Sequence, residues 1–161
     1  MATVRFSYPH DVDTVYRFLV DPAVVRRRSE AFGETDIHVT ILGDPLTSPT
    51  VTNVSKVKAQ VPGFAKRFLS PVNTVTDVKA WDAAARTARL SVDIQGAPVK
   101  VSGSIRLETA GGGCDYVVDF QVSCRIPLIG GQLERYVTGL TEESLRKEAD
   151  WNRAQLAAAA G

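Results

Sequence analysis

The chain has 161 residues, 44% of them hydrophobic, and its 19 basic and 18 acidic side chains leave a net charge of +1. One sizeable core suits that length and composition, so a single domain over residues 1–158 with a frayed tail at 159–161 is expected. So even a balance of charge lacks the basic footprint that holds a phosphate backbone, and no nucleic-acid partner is expected.

Thr3 to Tyr8 alternates, with Val4, Phe6 and Tyr8 on one face and Thr3, Arg5 and Ser7 on the other, as in a half-buried strand. Pro9 ends it. Asp11 caps a short helix whose Val12, Val15, Tyr16 and Leu19 form one apolar stripe. Asp21-Pro22 breaks that helix and starts a second, Ala23 to Ala31, closed by Gly33. Six strands follow: about Thr35 to Leu42, Val51 to Val61, Val72 to Trp81, Thr87 to Gln95, Val99 to Thr109 and Asp115 to Ile126. The joints Gly43-Asp44-Pro45, Trp81-Asp82-Ala83, Gln95-Gly96-Ala97-Pro98 and Gly111-Gly112-Gly113 are mostly of hairpin length, which predicts an antiparallel sheet. Ile126-Pro127-Leu128-Ile129-Gly130-Gly131 then opens one long helix to about Ala158, the only element long enough to cover the sheet.

Charges at Arg5, Asp11, Asp13 and Arg17 leave no room for the roughly seven-residue apolar core of a signal peptide. No apolar run reaches the roughly 18 residues of a membrane span, and a soluble cytoplasmic protein is expected. Cys114 and Cys124 lie ten residues apart in one expected strand, too far to bridge. With His10 and His38 isolated there is no zinc spacing, and neither a metal nor another cofactor is expected.

The order strand, two short helices, six antiparallel strands and a long C-terminal helix resembles the helix-grip superfamily. That group includes START lipid-transfer domains, birch-pollen-allergen-like proteins and polyketide cyclase-like proteins. Ser7-Tyr8-Pro9-His10-Asp11-Val12-Asp13-Thr14-Val15-Tyr16 with Leu19-Val20-Asp21-Pro22 carries the likeness, in the pattern of a small bacterial branch. The resemblance implies an α+β fold in which a curved seven-stranded antiparallel sheet wraps the long helix. It also implies a deep apolar cavity between them for a lipid, sterol or polyketide.

On that expectation Val101, Ile105, Leu90 and Val92 line the cavity from the sheet, and Tyr116, Val118 and Phe120 form an aromatic wall; ordinary core packing is the alternative. On the long helix, Leu133, Val137, Leu140, Trp151, Ser144, Glu148 and Gln155 project to one face. A carboxylate in that stripe means either that Glu148 faces a wet or ligand-filled cavity or that the helix overhangs the sheet into water. Val61 to Pro71 sets Phe64 and Phe68 apart from Lys66 and Arg67, either as an amphipathic lid capable of transient contact with anionic lipid or as a plain connector. Arg26-Arg27-Arg28 reads as a solvated face, His38 as an outward residue and the glycine triplet as a hairpin turn.

No catalytic set assembles from these residues. Two functions remain: non-catalytic binding or transfer of an apolar small molecule, with Tyr116, Glu148 or Gln155 as polar anchors, and a cyclase- or aromatase-type enzyme using the same cavity. The oligomeric state is not legible.

Overall fold

In the computed structural model, which describes residues 1–160, the elements are β1 (Ala2–Tyr8), α1 (Val12–Leu19), α2 (Pro22–Ala31), β2 (Thr35–Leu42), β3 (Thr50–Lys58), β4 (Val72–Asp82), β5 (Thr87–Ile94), β6 (Val99–Ala110), β7 (Gly113–Cys124) and α3 (Gly130–Ala160). The seven strands form one antiparallel sheet in the order β1-β7-β6-β5-β4-β3-β2. This is the helix-grip architecture. Strands β1 and β2 lie at opposite edges, so the connection between them crosses the whole sheet, with α1 near β6 and β7 and α2 near β2 and β3.

Both short helices begin as their sequences dictate. The Asp11 carboxylate accepts from the Thr14 amide at 2.7 Å and the Asp21 carboxylate from the Ala23 amide at 2.9 Å, with Pro22 in the first turn of α2. Several boundaries depart from expectation by one to three residues, and three of these departures change a connection or a helix end. Strand β3 stops at Lys58 rather than Val61: the Ala59 amide still donates to the Pro71 carbonyl in the register of the β3–β4 ladder, but Pro71 has no amide to return, and a separate strap with a 3-10 turn at Gly63–Ala65 follows. The last strand ends at Cys124, and Ile126 to Ile129 form a turn with Leu128 at φ 73° before α3 begins. Helix α3 continues through Ala160, two residues past its expected end, while Gly161 of the expected tail lies outside the described residues.

Alternation sorts the sheet into two unlike faces. The outer face of β1, β7 and β6 carries a ladder in which Arg5 reaches Asp115 and Glu108, and Arg106 reaches Asp119 and Glu108. Hydrogen bonds from Ser7 and Arg5 hold the Asp115 carboxyl below its usual range, and bonds from Thr3 and Arg106 do the same for Asp119. Val117 sits directly between Arg5 and Arg106 in cross-strand register, and it is fully buried although it points away from the core. The aliphatic stems of the two arginines cover it, which lets an outward valine escape water.

The inner face holds Val99, Val101, Ile105, Leu107, Tyr116, Val118 and Phe120, all buried. Gly103 interrupts the inner row of β6 opposite Phe120, and a Cβ built there would fall 2.0 Å from the Asp119 carbonyl oxygen. Backbone can approach that closely only at glycine, so Gly103 is required by the close passage of β7 beside β6.

Helix α3 buries Leu133 and Val137 in its N-terminal half and Leu145, Ala149, Asn152 and Leu156 in its C-terminal half. At about 100° per residue the second set is rotated by roughly 100° from the first. A straight stripe therefore predicts the wrong face beyond Val137: Leu140 is 37% exposed and Ser144 is exposed, which removes both from the inner surface. The change of face occupies Thr138 to Ser144, a stretch with no fully buried side chain.

Replacing Gly103 by valine is expected to destabilise the fold by at least about 1–3 kcal/mol, because the obstructing atoms are backbone and cannot swing aside. Urea unfolding of Gly103→Val against the parent protein checks this, and an unchanged midpoint would remove the close approach as a constraint.

Candidate functional site

Three elements bring polar side chains into the interior under the C-terminal half of α3. From α2 comes Arg28, buried because it shares a helical face with Val24 and Val25. Its Nη1 donates to the Asn152 Oδ1 at 3.0 Å, and its Nε lies 4.0 Å from the Glu148 Oε1. Glu148 and Asn152 are one turn apart on α3, so both reach the same guanidinium. Asn152 then donates from Nδ2 to the Tyr8 hydroxyl of β1 at 3.4 Å, which completes a chain from α2 through α3 to β1.

A second set comes from the sheet. On β4, Val75, Asp77, Lys79 and Trp81 share the inward parity of buried Trp81, and Asp77 and Lys79 pair at 2.9 Å. Opposite them on β3 stand Val51, facing Lys79, and Asn53, facing Asp77. Asn53 donates from Nδ2 to the Ser29 hydroxyl at 2.8 Å. Tyr8 and Tyr116 meet edge to face at 6.4 Å between centroids. Burial, reinforced by the negative Glu148, pushes the Tyr116 phenol well above its ordinary range. Burial also raises Tyr8, partly offset by the Asn152 bond. Both phenols stay protonated at neutral pH, and the Tyr8 hydroxyl accepts from Asn152.

These groups surround a cavity of about 20 Å³ lined by Tyr8, Arg28, Asn53, Asp77, Lys79, Trp81, Tyr116, Glu148 and Asn152, with apolar Leu19, Val25, Val51, Leu145 and Ala149. A water needs about 10–15 Å³ of such space, so the cavity is water-sized and half polar. The deep apolar void that the resemblance implies is not open. Of three buried side-chain nitrogens and oxygens without a hydrogen-bond partner among the described residues, two belong to this wall: Asn53 Oδ1 and Trp81 Nε1.

Of the residues expected to line a cavity, Tyr116 and Glu148 do so. Glu148 therefore faces the interior rather than an overhang. Val101, Ile105, Leu90, Val118, Phe120 and Val137 are buried in the core without lining the cavity, and Val92 is half-buried against it. Phe64 and Phe68 are half-buried in the strap of residues 59–71, where Phe64 packs edge to face on Tyr136 at 5.8 Å and Tyr136 bonds to the Gln60 carbonyl. The strap thus clamps the N-terminal half of α3, with Lys66 and Arg67 exposed. Arg28 corrects the reading of the triplet as a solvated face: only Arg26 and Arg27 are exposed. Its signal was present, since Arg28 follows Val24 and Val25 at helical spacing; Asp77 and Lys79 were likewise marked by their parity with Trp81.

Among the described residues no cluster of His, Cys, Asp and Glu side chains is arranged to hold a metal ion, and no helix is long and apolar enough to cross a membrane. A broad open depression of about 680 Å³ lies outside, between the end of β1 and the β6–β7 hairpin, but its one charged residue, Asp115, is already engaged by Arg5 and Ser7.

Residues 3–154 match a family described as Protein of unknown function (DUF2505). No curated protein matches the sequence. Among solved structures, TTHA0849 from Thermus thermophilus is similar at 14% identity and TM-score 0.66, covering 99% of each chain. Zhui aromatase/cyclase from Streptomyces sp. R1128 is similar at 15% identity and TM-score 0.62, over 96% of this chain and 92% of that one. A point mutant of norcoclaurine synthase from Thalictrum flavum, in complex with a transition-state analogue, is similar at 12% identity and TM-score 0.64, over 99% and 95%. At these identities the likeness is one of fold.

Truncating Arg28 to alanine leaves Glu148 and Asn152 inside without their cation and is expected to cost about 2–4 kcal/mol in chemical denaturation. Replacing both charges, Arg28→Met with Glu148→Leu, is expected to restore most of that loss. A double variant as unstable as the single one would show that Arg28 acts through packing alone.

Proposed function

The chain belongs to the DUF2505 family, and for this member we propose binding of a small molecule with an apolar body and a polar end, held between the sheet and the C-terminal half of α3. The observation that carries the reading is the convergence of Arg28, Glu148, Asp77, Lys79 and Asn152 on one interior cavity walled by Tyr8, Tyr116 and Trp81. A domain built only for stability gains little from a buried arginine and two partly buried ion pairs at its core wall, since charges drawn out of water give up hydration. Apolar walls with a few convergent polar groups are the composition of ligand sites. The aromatase/cyclase and norcoclaurine synthase of like fold agree with this reading without fixing it.

A ligand larger than water requires the cup to open. The segment of α3 with no fully buried side chain, Thr138 to Ser144, is where that opening costs least. There Thr138 and Thr141 bond back to the carbonyls of Glu134 and Val137, a pattern that favours bending, and Gly139 stands between them with open space where a Cβ would be. In this account α3 flexes at Gly139 while the Phe64–Tyr136 clamp holds its first half.

A second reading, catalysis in the same cavity, is favoured by one feature: a Tyr116 phenol held protonated by burial, a hydrogen-bond donor for developing charge, lines the same cavity as the Glu148 carboxylate, a candidate base.

Native mass spectrometry of the purified protein, with denaturing extraction, is expected to show a small organic molecule travelling with the chain, and Nile red is expected to brighten on the emptied protein. An unliganded chain that also leaves Nile red dark would overturn the binding reading. Gly139→Ala is expected to raise stability by about 0.5–1 kcal/mol through helix propensity while slowing Nile red uptake in stopped flow. Faster or unchanged uptake would remove Gly139 as the hinge.

A further inference from the structure

From the pairing of charges inside the cavity we infer that its ligand is uncharged and hydrogen-bonding at both ends, an alcohol or phenol rather than a carboxylate or an amine. This rests on the binding reading above and deepens it. The wall carries two cations and two anions, each cation already matched: Arg28 with Glu148 and Asn152, and Lys79 with Asp77. An incoming carboxylate or ammonium would have to break one of these pairs and leave the displaced charge half-buried without its partner, which costs more than the new pair returns. A fifth charge has no vacancy to fill.

What the wall lacks is neutral. Trp81, only 3% exposed, offers a buried indole N–H that bonds to nothing, and Asn53 offers a buried carbonyl oxygen that accepts nothing. One is a donor and the other an acceptor, and both residues line the same cavity. They also lie apart. Asn53 stands opposite Asp77, whereas Trp81 is four residues further along β4, about 13 Å in backbone terms, with Lys79 between them. The side chains shorten that gap, but a single hydroxyl does not bridge it. The matching ligand presents an acceptor to Trp81 at one end and a donor to Asn53 at the other, with an apolar body lying against Tyr8, Tyr116, Val51 and Leu145. Hydroxyl groups supply both roles. Leaving a buried donor or acceptor unmet is the penalty that makes such a site selective for a partner that satisfies it.

Four probes of common shape test this: naphthalene, 2-naphthol, 2,6-dihydroxynaphthalene and 2-naphthoate, titrated into the emptied protein by calorimetry. The diol is expected to bind more tightly than the mono-ol, and the mono-ol more tightly than naphthalene, by about fivefold per hydroxyl, with 2-naphthoate weaker than 2-naphthol. Trp81→Phe keeps a ring in place and removes the N–H, and it is expected to reduce the diol to the affinity of the mono-ol. Asn53→Leu is expected to do the same from the other end. Either variant suffices once circular dichroism shows it folded, and the ligand order in the parent protein stands without them. Tightest binding by 2-naphthoate, or equal binding by all four, overturns this inference and leaves the binding reading intact. Binding by none of the four overturns both.

Discussion

One buried cation organises this molecule. Arg28 enters the core because α2 packs Val24 and Val25 inward and the next residue on that face is an arginine. A guanidinium taken out of water costs several kcal/mol unless anions and acceptors meet it, so whatever lies over α2 must bring them. Helix α3 does so with Glu148 and Asn152, and Asn152 passes the connection on to Tyr8 at the edge strand. An edge strand and a short crossover helix from the start of the chain are thereby fixed to the terminal helix by polar contacts whose partners permit few alternatives.

The same constraint shapes α3. Its first half lies on the sheet by apolar packing of Leu133 and Val137, with the strap clamping its flank through Phe64 and Tyr136. Its second half must turn Glu148 and Asn152 toward Arg28, and the apolar residues that accompany them, Leu145, Ala149 and Leu156, occupy a face rotated from the first. A helix cannot change its buried face without a stretch that buries neither. That stretch, from Thr138 to Ser144, holds the helix-weakening Gly139 and the two back-bonded threonines. Close burial at both ends and sparse burial between them follow from a single demand, that one helix satisfy an apolar surface and a buried charge lying in different directions.

Most of the sheet was legible because period-two alternation carries its own face assignment: β1, β6 and β7 bury the residues their pattern names, and the outer charges of Arg5, Arg106, Asp115 and Asp119 mark the solvent side. The caps at Asp11 and Asp21 were legible for a similar local reason. The face of α3 was not, since a helical projection assumes that whatever the helix covers stays in one direction, whereas here its second half also turns Glu148 and Asn152 toward Arg28 of α2. Charged residues were the other source of error. Reading Arg28 as solvated follows the ordinary behaviour of arginine, and only the company of Val24 and Val25 argues against it. Asp77 and Lys79 escaped notice in the same way, as a pair of opposite charges on a strand whose inward parity is set by Trp81, further along. In each case the individual residue type pointed outward and the register pointed inward, and register prevailed because the backbone cannot turn one side chain without turning its neighbours.

The two faces of the sheet differ in how completely their polar groups are met. Outside, Arg5, Arg106, Glu108, Asp115 and Asp119 close on one another and on Thr3 and Ser7, although water is available to all of them. Inside, where an unmet group is most costly, Trp81 and Asn53 each keep an atom without a partner. Phenylalanine and leucine would fill the same positions without that cost, and the neighbouring inner positions of β5 and β6 are filled in that manner by Leu90, Val101 and Ile105. A core that pairs its charges and leaves two neutral groups unmet fits the inference of a neutral hydrogen-bonding ligand. Consistency between local chemistry and packing holds across the rest of the sheet and fails at this one wall, which is where a site is expected to lie.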